Sequence, residues 1–550
     1  MNDILCLLVA ACCASAAAAI SVPEAPNGRI ASSTPDQSSN EVRALPGYRQ
    51  QLPSKHFSGY ITVDEQAGRR LFYYLVLAET PSDVLLLWLT GGPGCSSMDA
   101  FTYEHGPLLF SFKPGADEPG RTPTLSDIEL NPNPHSWSKT ASVLYVDSPA
   151  GTGFSYADKP SGYVTNDTVT IDDLEVFVAR LFEQYTQLRQ LQLYVAGESY
   201  GGVFVPLLTQ RLLRHNQRQA AGSSGSGSSS GSGSSSGSGS RRPYNIAGYV
   251  VGNAVTDNAV DARGQVDYAF GAGLVDADTH RDTIRTCEAH DWRTAAGSPC
   301  GDAMDRLEAA MGPVNAYDIL APCFSGSGSS QQAAAAGAAS SGSMLRPAAA
   351  AAAAPVIAAS SWATNLFAAR KAAGGGSGAT LRHTISCADR RAALLYYNAP
   401  AVRAAIHAGT LEQAGRWEPC SDVLHYTFTA GSMIPMHREL VAAGLRALVY
   451  SGTADYVVPF TGSRAWVYGL GLKASKPWHA WSMPGSKQVS GHAVQFEQQQ
   501  PQQQRRRQAG RQRQAGRLTF ATVQGAGHMV PQTHAAQALA LLQLWLDQQL

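Results

Sequence analysis

The residues with the clearest chemical meaning lie in Leu193-Tyr194-Val195-Ala196-Gly197-Glu198-Ser199-Tyr200-Gly201-Gly202. Glycines at 197 and 201 bracket a serine, with an apolar strand-like run before it and a helix-like stretch over about 203–214 after it. Such a turn is sharp enough to lift the serine hydroxyl clear of a sheet's carboxyl edge, and the helix N-terminus behind it favours developing negative charge. A serine hydroxyl is a poor nucleophile until a histidine takes its proton and a carboxylate orients that imidazole. Candidates for both lie downstream. Asp455 follows the apolar run Leu445–Tyr450 in Ser451-Gly452-Thr453-Ala454-Asp455, and His528 follows the run Thr519–Val523 in Gly525-Ala526-Gly527-His528-Met529-Val530-Pro531. Upstream, Thr90-Gly91-Gly92-Pro93-Gly94-Cys95-Ser96-Ser97 closes the apolar run Val84–Leu89. Glycines there let backbone N–H groups turn toward the serine, as an oxyanion hole requires.

These residues need a rigid frame. Residues 71–90 read as two strands around a Pro-Ser-Asp turn, and the second is nearly all apolar, which suits a sheet covered on both faces. Further apolar runs follow at Ala141–Val146, Leu191–Ala196, Ile246–Val251 and Leu445–Tyr450. Between them lie helical patterns, notably Asp172–Gln187, where Leu174, Phe177, Val178, Leu181 and Phe182 recur at helical spacing. Strands alternating with helices predict an α/β fold with a mostly parallel sheet, and each candidate then stands just past a strand's carboxyl end, where such sheets place their sites. The order Ser199, Asp455, His528 is that of α/β-hydrolases, not of chymotrypsin or subtilisin. The last segment, His534–Leu550, reads as an amphipathic helix packing on the sheet.

The stretch 255–393 differs in character. It holds four of the six cysteines beyond residue 20 and many short helical pieces, and reads as a largely helical, disulfide-bearing cap inserted between a first core part, 45–254, and a second, 394–550. Three low-complexity tracts, 222–240, 325–380 and 490–515, read as loops; the last ends in a basic run, QQQRRRQAGRQRQ, which between two core segments is a solvated insertion rather than a nucleic-acid site.

The chain has 550 residues with 42 basic and 42 acidic side chains, so no protein-wide positive field exists to hold a polyanion. A content of 44% hydrophobic residues without a sustained heptad excludes collagen-like, coiled-coil and wholly disordered classes. Ile4–Ile20 is an apolar, Ala-rich run with small residues at Ala17 and Ala19, too short for a membrane span and fit for a signal peptide over 1–22. Asp3 stands where a basic residue is usual, and transit into an organelle is the other destination such a leader serves. Of nine cysteines, three leave with the leader, and Cys95, Cys287, Cys300, Cys323, Cys387 and Cys420 remain. In a secreted chain they read as three disulfides, in any of about 15 pairings. No Cys/His spacing suits zinc, so no metal is expected. One glycosylation sequon, Asn166-Asp167-Thr168, fits a surface loop.

Taken together, FSGYITVDE, WLTGGPGCSS, NPHSWSKTASVLYVDSPAGTGFSY, GESYGG, GNAVTD, LLYYNAPAVRAAIHAG, WEPCSD, SGTADYVVP and GAGHMVP resemble the serine carboxypeptidase family, which has the α/β-hydrolase fold. The resemblance covers most of the non-repetitive chain. It implies Ser199 as nucleophile, His528 as general base and acid, Asp455 as orienting carboxylate, and the backbone N–H groups of Gly92 and Tyr200 as oxyanion donors. Glu104 and Glu198, with Thr90 and Gly91, match the positions that hold the substrate's terminal carboxylate. Two adjacent carboxyls facing a third must carry a proton to donate hydrogen bonds, so peptidase activity is expected to favour acidic pH. The family pattern also selects the pairings Cys95–Cys420, Cys287–Cys300 and Cys323–Cys387.

The expected activity is release of C-terminal residues from peptides and proteins without a cofactor, in the secretory pathway, with a vacuole- or lysosome-like compartment or the extracellular space as destination. No nucleic-acid partner, and no membrane span once the leader is removed, is expected. Two departures bear on this. Many carboxypeptidases of the family carry Asn where this chain has Thr90, and Thr resembles the plant acyltransferase-like branch, which uses the same triad to move acyl groups from glucose esters to hydroxyl acceptors. Thr453 stands where the family usually has a second acid. A catalytically dead fold used for binding is the reading from another class; an intact triad and glycine loops argue against it.

Overall fold

The computed structural model describes residues 40–118, 120–224, 243–292, 294, 297–323, 387–498 and 516–550. The leader, the tract 325–380 and most of the other two tracts lie outside the described residues. In chain order the strands are β1 (Glu41–Val42), β2 (His56–Asp64), β3 (Arg69–Val76), β4 (Val84–Leu89), β5 (Leu108–Phe112), β6 (Ile128–Pro132), β7 (Ser142–Val146), β8 (Val164–Asn166), β9 (Gln192–Glu198) and β10 (Ile246–Gly252). They continue with β11 (His425–Thr427), β12 (Arg446–Gly452), β13 (Lys473–Trp481), β14 (Gly491–Glu497) and β15 (Arg517–Val523).

Eleven of these form one sheet in the order β1-β2-β3-β7-β4-β9-β10-β12-β15-β14-β13. The centre, β7 to β15, is parallel throughout, and antiparallel strands extend both edges. The chain is therefore an α/β fold with a parallel central sheet. Strand β4 shows why it reads as a continuous apolar run: Leu85, Leu87 and Leu89 enter one core cluster and Val84, Leu86 and Trp88 the other, so both faces are covered. On the first face pack the helices α2 (Asp167–Gln184) and α3 (Gly201–Ser224), through Leu174, Phe177, Val203 and Leu208. On the second pack the short helix α1 (Ser97–Tyr103), through Met98 and Phe101, and the C-terminal helix Ala535–Leu546, through Leu541, Leu542 and Trp545.

After β10 come α4 (Asn258–Gly271), α5 (Ala277–Ala289) and α6 (Pro299–Met311). A disulfide joins Cys287 of α5 to Cys300 of α6. Helix α4 lies against the helix Phe460–Gly469, and they meet where both lack a side chain: a Cβ on Gly264 would stand 2.5 Å from the Gly462 nitrogen.

Two expectations change. The loop expected over 490–515 begins later, because Gly491–Glu497 is β14, seated between β13 and β15 with Ala493, Val494 and Phe496 buried. Its short apolar alternation adjoins the Gln-rich tract, which hid it. Asn166 is not in a loop: it ends β8 and caps α2, its side-chain oxygen accepting the Val169 N–H at 3.0 Å.

Candidate active site

Ser199 sits between β9 and α3 with φ at 57°, a left-handed conformation that costs a residue with a side chain about 1–3 kcal/mol. Three backbone hydrogen bonds hold it there. Its N–H donates to the Gly252 carbonyl at 3.1 Å, and its own carbonyl accepts from Gly202 and Val255, each at 2.9 Å. The turn is pressed against the β4 exit loop, where a Cβ on Gly91 would lie 2.4 Å from the Tyr200 nitrogen and 2.7 Å from the Ser199 Cβ. Only glycine fits at 91, and the close approach brings the Gly91-Gly92 segment beside Ser199 and Tyr200.

Asp455 and His528 leave the adjacent strands β12 and β15 and meet beyond their carboxyl ends. The His528 Nδ1 is 2.9 Å from the Asp455 Oδ2, and both side chains are buried. Asp455 is held from several sides: Oδ2 also accepts the Asn253 amide at 2.7 Å and the Val458 N–H at 3.1 Å, while Oδ1 accepts the Val457 N–H at 2.8 Å. With Nδ1–H turned to the carboxylate, Nε2 is the atom left to accept a proton, and it has no hydrogen-bond partner among the described residues. Thr453, at the position of the family's second acid, accepts the Gly525 N–H on its hydroxyl at 2.8 Å and so ties the Asp455 loop to the His528 loop. Tyr317 packs its ring edge on His528, centroids 5.1 Å apart, and its carbonyl accepts the His528 N–H at 2.6 Å.

Glu104, at the end of α1, and Glu198, at the end of β9, are buried and share a hydrogen bond. Burial holds both above the ordinary carboxylate range, and the negative charge of Asp99 pushes both the same way; Glu104 raises Glu198 further, whereas the hydrogen bond from Glu198 pulls Glu104 down. The pair therefore carries a proton at neutral pH. Thr90 accepts the Trp88 indole N–H on its hydroxyl at 2.9 Å, which leaves the hydroxyl hydrogen free to point elsewhere.

The disulfides are Cys95–Cys420, Cys287–Cys300 and Cys323–Cys387, the pairing the family pattern implies. The first ties the loop after β4 to a segment 325 residues on, reinforced by Ser96 N–H to Pro419 O and Ser421 N–H to Gly94 O, each 2.8 Å. Ser96 then caps α1 through its hydroxyl and donates to Asp147 at 2.7 Å. Burial raises the Asp147 carboxyl to about 6.

With this geometry in view, the similarity to known proteins decides the family. The chain matches the serine carboxypeptidase family profile over residues 46–548. It belongs to the serine carboxypeptidase family. It is 35% identical over 508 residues to serine carboxypeptidase 1 of Hordeum vulgare, covering 92% of each chain, and 34% identical to serine carboxypeptidase-like 20 of Arabidopsis thaliana, again covering 92% of each. Among solved structures it resembles Kex1Δp, a prohormone-processing carboxypeptidase from Saccharomyces cerevisiae, with a TM-score of 0.63 at 17% identity, covering 94% of this chain and 97% of that one. That structural match speaks to the fold, which is the α/β-hydrolase fold.

Three residues at the site had no role in the sequence reading. Asn253 clamps Asp455 and also accepts the Gly452 N–H at 3.1 Å; it lies in GNAVTD, at a positive φ of 39°, directly after β10. Asp167, in the sequon, accepts the Tyr200 hydroxyl at 2.6 Å, the Tyr426 hydroxyl at 2.8 Å and the Thr429 and Ala430 N–H groups at 2.6 and 2.8 Å. Arg390 is buried against α1. Among the described residues no group of His, Cys, Asp and Glu could hold a metal, and no helix is long and apolar enough to cross a membrane.

Proposed function

We propose that the protein is a serine-type carboxypeptidase that releases C-terminal residues from peptides and proteins, favouring acidic pH. The observation that carries this reading is the buried Glu104–Glu198 pair beside the Ser199 turn. A carboxyl pair that retains its proton can donate to a terminal carboxylate, which ordinary ionised acids would repel. Thr90 and Gly91 complete that binding site.

In this mechanism the Ser199 Oγ attacks the last peptide carbonyl while its proton passes to the His528 Nε2. The Gly92 and Tyr200 N–H groups stabilise the tetrahedral oxyanion. The C–N bond then breaks, His528 returns the proton to the departing amine, and an acyl-enzyme remains. Water, deprotonated by His528, cleaves the ester and restores Ser199. Asp455 keeps the imidazole in the tautomer this requires. The expected leader and three disulfides support a place in the secretory pathway, with a vacuole-like or extracellular destination. Helices α4–α6 form the cap, and Asn166 is the acceptor for glycosylation.

One observation favours acyl transfer as a second reading: Thr90 offers a single hydroxyl where an amide donor would serve a peptide carboxylate better. The two readings differ in what captures the acyl-enzyme. Incubating the protein with a blocked dipeptide at about pH 5 and about pH 7.5, beside a Ser199→Ala control, decides between them. Ser199-dependent release that is faster at the lower pH supports the peptidase. No release, with Ser199 still labelled by a fluorophosphonate, favours the acyltransferase.

A further inference from the structure

Behind the glutamate pair lies a second pair of buried charges. The Arg390 Nε is 2.8 Å from the Asp99 Oδ1, with side-chain exposures of 5% and 3%. The guanidinium lies over the Tyr103 ring at 4.4 Å, and its Nη2 donates to the Gln532 side chain at 3.1 Å. Neither its Nη1 nor its Nε makes an aligned hydrogen bond among the described residues, so the Asp99 contact is an ion pair by proximity. These contacts place Arg390 between two catalytic elements. Asp99 and Tyr103 belong to α1 and Glu104 caps its C-terminus, while Gln532 lies in the helical turn Val530–Thr533 just after His528. Arg390 itself comes from the segment after the Cys323–Cys387 bridge.

We propose that Asp99 and Arg390 are positioning residues that set the protonation of the Glu104–Glu198 pair and thereby the alkaline limit of carboxylate recognition. This rests on the reading of that pair as the substrate-carboxylate site. Taking two charges out of water is costly, and a hydrophobic pair of the same size would pack as well. An Asp–Arg pair at this place instead supplies fields of opposite sign to the two glutamates. Among the described residues the other titratable groups that interact with the glutamates are Tyr145 from β7, Tyr450 from β12 and Tyr317, all buried phenols held neutral. Burial raises both glutamates most; among the described residues Arg390 is the cation that opposes Asp99, and the balance of the two tunes how readily the glutamates give up their proton.

The test is a charge-deletion cycle read as a pH profile. Asp99→Asn removes the negative field, so the glutamates ionise more easily and the alkaline limb of kcat/KM for blocked-dipeptide release moves down by about one pH unit. Arg390→Gln removes the positive field and moves that limb up by a similar amount. The double variant returns close to the native midpoint, and Arg390→Lys, which keeps the charge, stays there. The same peptide as its C-terminal amide shows none of these shifts. A purely structural pair would lower activity at every pH without opposite displacements, and shifts of the same sign, or none, overturn the proposal. If Arg390→Gln gives no cooperative thermal melt, Asp99→Asn and Arg390→Lys decide alone. If the native protein releases no amino acid, the peptidase reading fails separately. The infrared carbonyl band of the protonated glutamates, titrated in the native chain and both single variants, then gives the same opposed or absent shifts without a substrate.

Discussion

Gly91→Ala tests the architecture of the site through one added carbon. The new Cβ would stand 2.4 Å from the Tyr200 nitrogen, 2.7 Å from the Ser199 Cβ and 2.8 Å from the Glu198 carbonyl oxygen. Two of these atoms are backbone, so no rotamer change relieves the contact. Restoring an ordinary separation of about 3.5 Å requires the loop and the nucleophile turn to part by about 1 Å. The Tyr200 N–H is a proposed oxyanion donor, and displacing or losing such a donor costs about 100- to 1,000-fold in rate, or about 3–4 kcal/mol. The variant should therefore lose about 100- to 1,000-fold in kcat with KM changed only a few-fold, and fluorophosphonate labelling of Ser199 should slow in parallel. Overpacking costs a further 1–3 kcal/mol or so of stability, a loss the rest of the core should survive as a cooperative melt. A kcat within about threefold of native would refute the reasoning, since the donor would then be either unmoved or unnecessary.

The glutamate pair also makes stability depend on pH. Unfolded glutamates release their protons near about pH 4.3, whereas Glu104 and Glu198 are held above that by burial, so between the two values the folded chain binds more protons. The unfolding free energy should fall as pH rises across this window, by at most about 1.4 kcal/mol per pH unit for each group. Melts of the Glu104→Gln/Glu198→Gln variant should show a shallower decline between about pH 5 and pH 8 than the native chain, and an unchanged slope would argue that the pair is ionised. Asn253→Ala removes the amide from the Asp455 Oδ2 and the acceptor from the Gly452 N–H, and should cost about 2–3 kcal/mol in chemical denaturation with a fall in kcat. Asp167→Asn leaves the sequon intact but turns an amide toward hydroxyl and N–H donors. A loss of about 1–3 kcal/mol and slower turnover are expected, and native behaviour in both would remove Asp167 from the support of Tyr200.

Much of this site was legible because its residues mark strand ends. Ser199 and Asp455 each follow a strand with a continuous apolar run, His528 follows one interrupted only by Thr519 and Thr522, and glycine punctuates each turn, so local pattern alone brings them to one edge of the sheet. What local pattern lacks is any record of partners far along the chain. Asn253 reaches Asp455 across 202 residues, and Arg390 meets Asp99 from far along the chain; nothing adjacent to either residue announces the contact. Strand β13 was illegible for another reason. KASKPWHAW is almost wholly exposed and held mainly by backbone pairing with β14, so it carries no apolar alternation, and β14 itself is short and runs into the glutamines. Thr453 shows the converse: a departure from the family pattern that the structure fills with a hydroxyl serving the neighbouring loop.

The most direct test of the central claim is to follow a peptide of mixed sequence by mass spectrometry during incubation at about pH 5. The account predicts stepwise loss of single residues from the C-terminus, abolished by Ser199→Ala and greatly slowed when the peptide ends in an amide. Internal cleavage, or equal trimming of acid and amide, would contradict it, because neither requires the Glu104–Glu198 pair to read a terminal carboxylate.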